Sequence, residues 1–324
     1  MEPLLSIENL KTYFFTSSGT VKTVDDVSLS VRSSGRLGIV GESGCGKSMT
    51  ALSILRLVSS PGKIVGGKVF LDGAKKNLDL ISLPEQEMRK IRGGRIAMIF
   101  QDPMTSLNPV FTIGDQIEEA VALHQNLPKN KRWEAVIESL RKVKIPDSER
   151  VAKSYPHELS GGMRQRAMIA MALSCKPDLL IADEPTTALD VTIQAQVLLL
   201  LKELQEELKM AFILITHDLG IIAETVEDVV VMYAGKVVER ASTEKLFEHP
   251  RHPYTRALLQ SVPTLESRGR LATIAGSVPD LSHLPQGCLY QDRCERVQSR
   301  CRQEDPPLFE LAPGHDGRCF FPYE

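Results

Sequence analysis

Three stretches of this 324-residue chain combine residue types that can handle phosphate. Gly41-Glu-Ser-Gly-Cys-Gly46-Lys47-Ser48 fits the pattern G-x-x-x-x-G-K-[ST]. Glycines let backbone N–H groups converge on phosphate oxygens, and a helix starting there adds partial positive charge. Lys47 can reach the outer phosphates, and the Ser48 hydroxyl can ligate Mg²⁺. Leu179-Leu-Ile-Ala-Asp183-Glu184-Pro185 is an apolar run ending in two carboxylates. Asp183 suits a direct or second-sphere Mg²⁺ contact, and Glu184 suits positioning or deprotonating an attacking water. Many strands end in acids only as solubilising caps, so the upstream loop is what gives this pair its meaning. Ser160-Gly161-Gly162-Met163-Arg164-Gln165 opens a helix with a serine cap and two glycines, a second set of N–H groups suited to phosphate. One nucleotide has no use for two cradles from one chain. Two chains meeting head to tail around two nucleotides would use both.

Such groups need strands that end where the ligand sits. Val24–Val31 and Leu37–Val40 have strand character, and Ser48–Val58 follows as a helix. Val65–Leu71 and Arg95–Phe100 are predicted strands. From Gln101 to about Glu158 the pattern becomes helical and more polar (Gly114–His124, Lys131–Val143), broken by Pro103, Pro109, Pro128, Pro146 and Pro156. It has the character of a helical insertion. Helix Gly161–Ser174, strand Leu179–Ala182, helix Thr192–Leu208 and strands Ala211–Thr216 and Asp228–Tyr233 come next. Strands alternating with helices predict an α/β fold with a largely parallel sheet covered on both faces. Open sheets of this kind bind ligands at the carboxyl ends of their strands. After Glu248 periodicity fades and an appended C-terminal segment begins.

Composition removes several classes. The charge is 39 − 41 = −2, with 42% hydrophobic and 25% charged residues, which is globular and argues against a nucleic-acid coat. The longest apolar runs, Val197–Leu201 and Ala211–Ile215, fall far short of the ~20 residues a spanning helix needs. The N-terminus MEPLLSIENLKTYFF has no signal-peptide pattern, so a soluble, intracellular chain is expected. Four of six cysteines (Cys288, Cys294, Cys301, Cys319) crowd the C-terminal segment, which inside a cell points to metal or redox chemistry.

In this order the motifs resemble the nucleotide-binding subunit of ABC transporters. Leu159–Gln165 (LSGGMRQ) matches the family signature, which contacts the γ-phosphate of ATP held by the opposite subunit. Gln101 in Ile99-Phe-Gln-Asp-Pro103 matches the Q-loop, which links Mg²⁺ and the attacking water to the membrane partner. Ala188-Leu189-Asp190 matches the D-loop, and His217 in Ile215-Thr-His-Asp218 matches the switch histidine. An aromatic residue before the second strand usually stacks on adenine; spacing favours Phe14, with Tyr13 as the alternative. The resemblance, from about Leu5 to Glu248, implies a P-loop ABC ATPase cassette with a parallel-sheet core, an N-terminal antiparallel β subdomain, a helical insertion and a small C-terminal metal-bound extension. Residues 1–250 would be the nucleotide-binding domain (insertion about 102–165) and 251–324 the extension. The implied ATP contacts are Phe14, Gly41, Ser43, Gly44, Cys45, Gly46, Lys47, Ser48 and Met49, with Ser160, Gly161, Gly162, Gln165 and Asp190. Cys45 occupies a free position of the loop pattern. Catalysis would fall to Glu184, His217 and Gln101, and Mg²⁺ to Ser48, Gln101 and Asp183. With every motif intact, a competent ATPase is expected: water attacks the γ-phosphate in line, and dimer closing and opening drives transport.

Gln101–Pro109 (QDPMTSLNP), Tyr155–Leu159, Asp190–Gln196 (DVTIQAQ) and His252–Thr255 resemble the peptide-importer branch, which takes up oligopeptides, dipeptides or nickel. Met163–Leu173 resembles the first of its two paired ATPases. This implies a heterodimer with a homologous ATPase (a homodimer when alone), at the cytoplasmic face of the inner membrane. Two membrane permeases would lie above it, gripped through Asp102–Glu158, with an extracytoplasmic substrate-binding protein beyond and no nucleic acid. A nickel or oligosaccharide importer of the same branch is the alternative. A soluble ABC ATPase of chromosomes or ribosomes is disfavoured by the short, proline-broken span between Lys47 and Ser160 and by the single set of motifs. The cysteines are spaced C-x5-C-x6-C-x17-C, without the C-x2-C of zinc ribbons. By count, four thiolates suit a [4Fe–4S] cluster or Zn²⁺ equally; four unligated thiols or two disulfides are the other readings. In related importer ATPases this position resembles an iron–sulfur segment, so [4Fe–4S] is favoured, with Zn²⁺ the alternative and His315 a substitute ligand.

Overall fold

The computed structural model describes residues 3–17, 19–72, 78–101, 106–187, 189–262 and 273–324. In chain order its strands are β1 (Pro3–Thr16), β2 (Gly19–Arg32), β3 (Arg36–Val40), β4 (Gly62–Leu71), β5 (Ile96–Ile99), β6 (Leu179–Asp183), β7 (Ala211–Ile215), β8 (Asp228–Tyr233), β9 (Lys236–Ser242), β10 (Phe309–Ala312) and β11 (His315–Gly317). The helices are α1 (Lys47–Ile54), α2 (Glu85–Ile91), α3 (Ile113–His124), α4 (Lys129–Lys142), α5 (Ser148–Ala152), α6 (Gly161–Leu173), α7 (Val191–Leu208), α8 (Leu219–Thr225), α9 (Thr243–Glu248), α10 (Pro253–Gln260) and α11 (Ser299–Gln303). Two compact units share them: Met1–Arg32, Arg36–Ser82 and Leu214–Glu324 in one, Ser33–Gly35 and Leu83–Ile213 in the other.

In the first unit β1 lies between β2 and β4 in an antiparallel sheet, with Leu5 opposite Val31 on one side and Leu71 on the other. Alternation explains it: Leu5, Ile7 and Leu10 are buried, whereas Glu8 and Asn9 face solvent at a bulge. A second set of strands runs β10-β11-β9-β8-β3. Only β3 and β8 pair in parallel there, because β8 returns into β9 through the two-residue turn Ala234-Gly235, both at positive φ (46° and 83°). That turn matches the right-handed twist of the strands it joins. The sheet is therefore mixed, where alternation of strands and helices had predicted a largely parallel one.

In the second unit β5 and β6 pair in parallel, Ile96 beside Leu179. Helices α3, α4 and α5 pack on one another, and α3 and α4 also on α6. They bury Ile113, Ile117 and Val121 of α3 with Val136, Ile137 and Leu140 of α4. Thr112 starts α3 with a capping box, its Oγ1 accepting the Asp115 N–H (3.2 Å) and its own N–H donating to Asp115 Oδ2 (3.2 Å). Helices α3 to α5 occupy much of the stretch, about 102–165, expected to be a helical insertion. Among the described residues no helix is long and apolar enough to cross a membrane.

The C-terminal residues fold within the first unit, on β9. Strand β11 pairs with β9, Gly317 opposite Glu239. The fully buried Glu239 carboxylate accepts the N–H groups of Arg251 (2.7 Å) and His252 (2.9 Å) and pairs with His315 Nε2 (2.6 Å). Arg318 donates to Asp26 Oδ2 (2.6 Å) and to the Val237 carbonyl (2.9 Å). Burial lowers the His252 imidazole to about 4. It stays neutral, and its Nδ1 accepts the Tyr254 N–H (3.0 Å) at the start of α10. Replacing Glu239 by Ala removes the acceptor of three buried donors at once. Unfolding free energy is expected to fall by about 3 kcal/mol in urea titrations at neutral pH, with Glu239→Gln, which keeps one acceptor oxygen, losing less.

Candidate phosphate site and catalytic carboxylates

The first unit holds the phosphate loop between β3 and α1. A Cβ at Gly41 would stand 2.2 Å from the Met232 carbonyl oxygen, and one at Gly46 2.2 Å from that of Thr23. Both glycines have positive φ (149° and 102°). At Gly44 (φ 79°) a Cβ would meet nothing within 4 Å, and Ser43 and Gly44 are exposed. The loop is therefore packed tight on its inner side and open on its outer side, the shape of a cradle. No side chain caps α1, which leaves its first turn suited to an anion. Lys47 Nζ donates to the carbonyls of Gly41 (2.7 Å) and Glu42 (3.0 Å), so the ammonium is held at the loop. Ser48 and Met49 are half-buried at the start of the helix. Cys45 is buried, burial raises its thiol, and its carbonyl accepts the Gly235 N–H (3.0 Å). Its side chain packs the loop.

His217 follows β7 and is exposed. The preceding Thr216 donates its N–H to the Ile39 carbonyl (3.3 Å), two residues before the loop begins. Asp218 Oδ1 accepts the Gly220 (2.8 Å) and Ile221 (3.3 Å) N–H groups and caps α8. His217 therefore leaves the end of β7 next to the end of β3, from which the phosphate loop starts. Phe14 is half-buried opposite Gly62, where a Cβ would come within 2.7 Å of its ring. Tyr13 donates its hydroxyl to Asp25 (2.6 Å).

The second unit carries the acids. Asp183 ends β6 and is buried. Glu184 adopts φ 45°, a conformation a non-glycine residue holds only when its surroundings enforce it. Its Oε2 accepts hydrogen bonds from Gln101 Nε2 (2.9 Å) and Thr187 Oγ1 (2.9 Å). Two donors from different segments thus fix one oxygen of the carboxylate, and Thr187 is a partner the sequence patterns had not singled out. Ser160 Oγ caps α6 by accepting the Met163 N–H (3.4 Å). Gly161 is exposed, and Gly162 lets α6 approach α7, a Cβ there standing 3.0 Å from Ile193. Gln165 is buried, with no hydrogen-bond partner for Nε2. Asp190 Oδ1 accepts the Ile193 N–H (3.0 Å) and caps α7. Ala188 and the 102–105 stretch after Gln101 lie outside the described residues.

The profile of the ABC transporter family matches residues 24–187, and that of the oligopeptide/dipeptide transporter C-terminal region matches 238–301. A profile described as an AAA domain, putative AbiEii toxin of a type IV toxin–antitoxin system, matches 152–223. The chain is 48% identical over 322 residues to the dipeptide transport ATP-binding protein DppD of Escherichia coli, covering 99% of this chain and 97% of that protein. Against the oligopeptide transport ATP-binding protein AppD of Bacillus subtilis the identity is 49%, with the same coverage. The chain belongs to the ATP-binding proteins of ABC transporters. Among solved structures, a dimeric ATP-binding cassette, MJ0796, in a post-hydrolysis state with ADP and Pi, matches this ABC protein with a TM-score of 0.65. The identity there is 27%, over 74% of this chain and 98% of that one. As an ABC ATPase the chain hydrolyses ATP, and the open cradle at Gly44 and the uncapped α1 suit its phosphates.

Mg²⁺ takes one or two protein oxygen ligands beside phosphates and water, and Ser48 in the first unit and Asp183 and Gln101 in the second each carry an oxygen donor. The cysteines do not suit the metal expected of them. Among the described residues no group of three or more His, Cys, Asp or Glu could hold a metal ion. Cys288, Cys294, Cys301 and Cys319 are free thiols bordering a largely apolar void of about 10 Å³, no more than one water needs. Burial pushes Cys288 up to about 12 and Cys319 up to about 11, and raises Cys294 too, favouring the thiol over the ligating thiolate. His315, the substitute ligand, is engaged by Glu239. The expected [4Fe–4S] cluster, the Zn²⁺ alternative and the metal-bound extension are therefore set aside: ion pairs and aromatic packing hold this segment. For the ABC ATPase, Glu184→Gln is expected to keep ATP binding while lowering phosphate release by roughly 10²–10³-fold in single-turnover assays.

Proposed function

We propose that the chain is the ATP-hydrolysing subunit of a peptide importer. The observation that carries this is full-length similarity to peptide-transport ATPases, reaching through the oligopeptide/dipeptide C-terminal region at 238–301. Residues 1–250 serve as the nucleotide-binding domain, with the insertion at about 102–165, and 251–324 as its extension. Phe14 stacks on adenine, the Gly41–Met49 segment wraps the phosphates, and Lys47 neutralises charge on the outer ones. Glu184, held by Gln101, orients and deprotonates the attacking water, and His217 stabilises the γ-phosphate. Ser48, Gln101 and Asp183 would hold Mg²⁺, which would offset charge on the phosphate oxygens.

A second ATPase completes the site. Ser160, Gly161 and Gly162 present N–H groups to nucleotide on a homologous subunit, with Asp190 beside them, whereas Gln165, expected among these contacts, is buried. The pair works as a heterodimer at the cytoplasmic face of the membrane, under two permease subunits that receive peptide from an extracytoplasmic binding protein. Exposed Val110, Phe111 and Tyr155 on the insertion suit an apolar permease contact. Expressed with two permeases and a second ATPase of a peptide importer, the chain is expected to co-purify with them in detergent. In proteoliposomes that complex should take up a dipeptide or oligopeptide only with ATP and binding protein. Recovery of the chain with ribosomes or DNA, or uptake of nickel or a sugar instead of peptide, would contradict this assignment.

A further inference from the structure

The second residue of the phosphate loop is a glutamate, an unfavourable neighbour for a polyanionic nucleotide. Each polar group of Glu42 is held by a different part of the first unit. Its N–H donates to Tyr254 Oη (2.9 Å) and its carbonyl accepts from Lys47 Nζ (3.0 Å). Its carboxylate takes both ends of the Arg293 guanidinium (2.7 and 3.0 Å), from 251 positions along the chain. Arg293 is itself fixed. Its side chain is 4% exposed against 29% for Glu42. Nε donates to the Ala275 carbonyl (2.8 Å), and the cation lies 5.7 and 5.8 Å from the rings of Tyr233 and Tyr290. Those rings and Tyr254 form one cluster with centroids 4.6–5.3 Å apart. The C-terminal segment therefore sets a rigid, charged fork on the phosphate loop.

We propose that Arg293 is a positioning residue for nucleotide binding: it cancels the Glu42 charge and holds the loop, so the C-terminal segment sets the affinity of this chain for ATP. This goes beyond the importer assignment and rests only on the ATPase. A fork that merely tied down the tail would matter to stability alone. Charge cancellation makes a different demand, because once Arg293 is gone the bare carboxylate is what harms binding.

The test uses the full-length chain with a fluorescent ATP analogue, steady-state hydrolysis and thermal melting on the same samples. Arg293→Ala is expected to weaken ATP binding about tenfold, with KM rising in step and kcat changing much less. Adding Glu42→Gln to it should restore affinity to within about threefold of wild type while the melting temperature stays low. Arg293→Lys, which keeps charge without the fork, should fall between. Wild-type affinity in Arg293→Ala, or a double variant as weak as the single one, overturns the proposal and leaves the ATPase standing. If Arg293→Ala fails to fold, Arg293→Gln against Arg293→Gln with Glu42→Gln decides the same question. A wild-type chain that binds no ATP would overturn the ATPase assignment and the proposal together.

Discussion

The absence of room for a side chain at Gly41 and Gly46 governs the first unit. These residues press on the carbonyls of Met232 and Thr23, so the loop takes its shape from β8 on one side and β2 on the other. The turn between β8 and β9 completes the clasp. Gly235 donates its N–H to the Cys45 carbonyl (3.0 Å) and accepts the Asp25 N–H (2.8 Å). Backbone therefore holds backbone, and the loop's N–H groups are fixed before any ligand arrives. Preorganisation of this kind is what gives a phosphate site its strength. It also explains why an antiparallel β sheet belongs to a nucleotide-binding unit: Thr23 lies on it.

The second unit solves a different problem, aiming a carboxylate. Asp183 is carried out by the buried strand β6, but Glu184 must leave that strand in a left-handed conformation. Hydrogen bonds from Gln101 and Thr187 to one carboxylate oxygen hold it there. Gln101 follows β5, the parallel neighbour of β6. The Gln101 side chain therefore ties the end of β5 to Glu184 at the end of the neighbouring strand.

Much of this was legible in the sequence because it is local. The phosphate loop, the two acids and the serine cap of α6 each depend on neighbours in the chain, and Asp228–Tyr233 was predicted to the residue. The β8–β9 hairpin was not, because Ala234 takes a positive φ that usually calls for Asn, Asp or Gly. Tertiary partners were invisible for the same kind of reason. Glu42 fills a free position in the loop pattern, and nothing nearby announces Arg293. His252-Pro-Tyr-Thr255 did stand out as a family marker, and Tyr254 gives it a physical role: its hydroxyl grips the loop. The cysteines misled in the opposite direction. Closeness along the chain suggested ligands, but burial beside Tyr290, Phe320 and Phe321 keeps Cys288, Cys294 and Cys319 as thiols, while Glu239, Arg318 and Arg293 tie the segment down.

The central claim is that ATP binds to a loop whose shape is set by backbone contact at its glycines. Equilibrium ATP binding by Gly46→Ala tests it most directly, with circular dichroism as the check on folding. The added methyl cannot fit 2.2 Å from the Thr23 carbonyl, so a folded variant with at least about a hundredfold loss of affinity is expected. A folded Gly46→Ala chain that binds ATP as tightly as wild type would contradict the account.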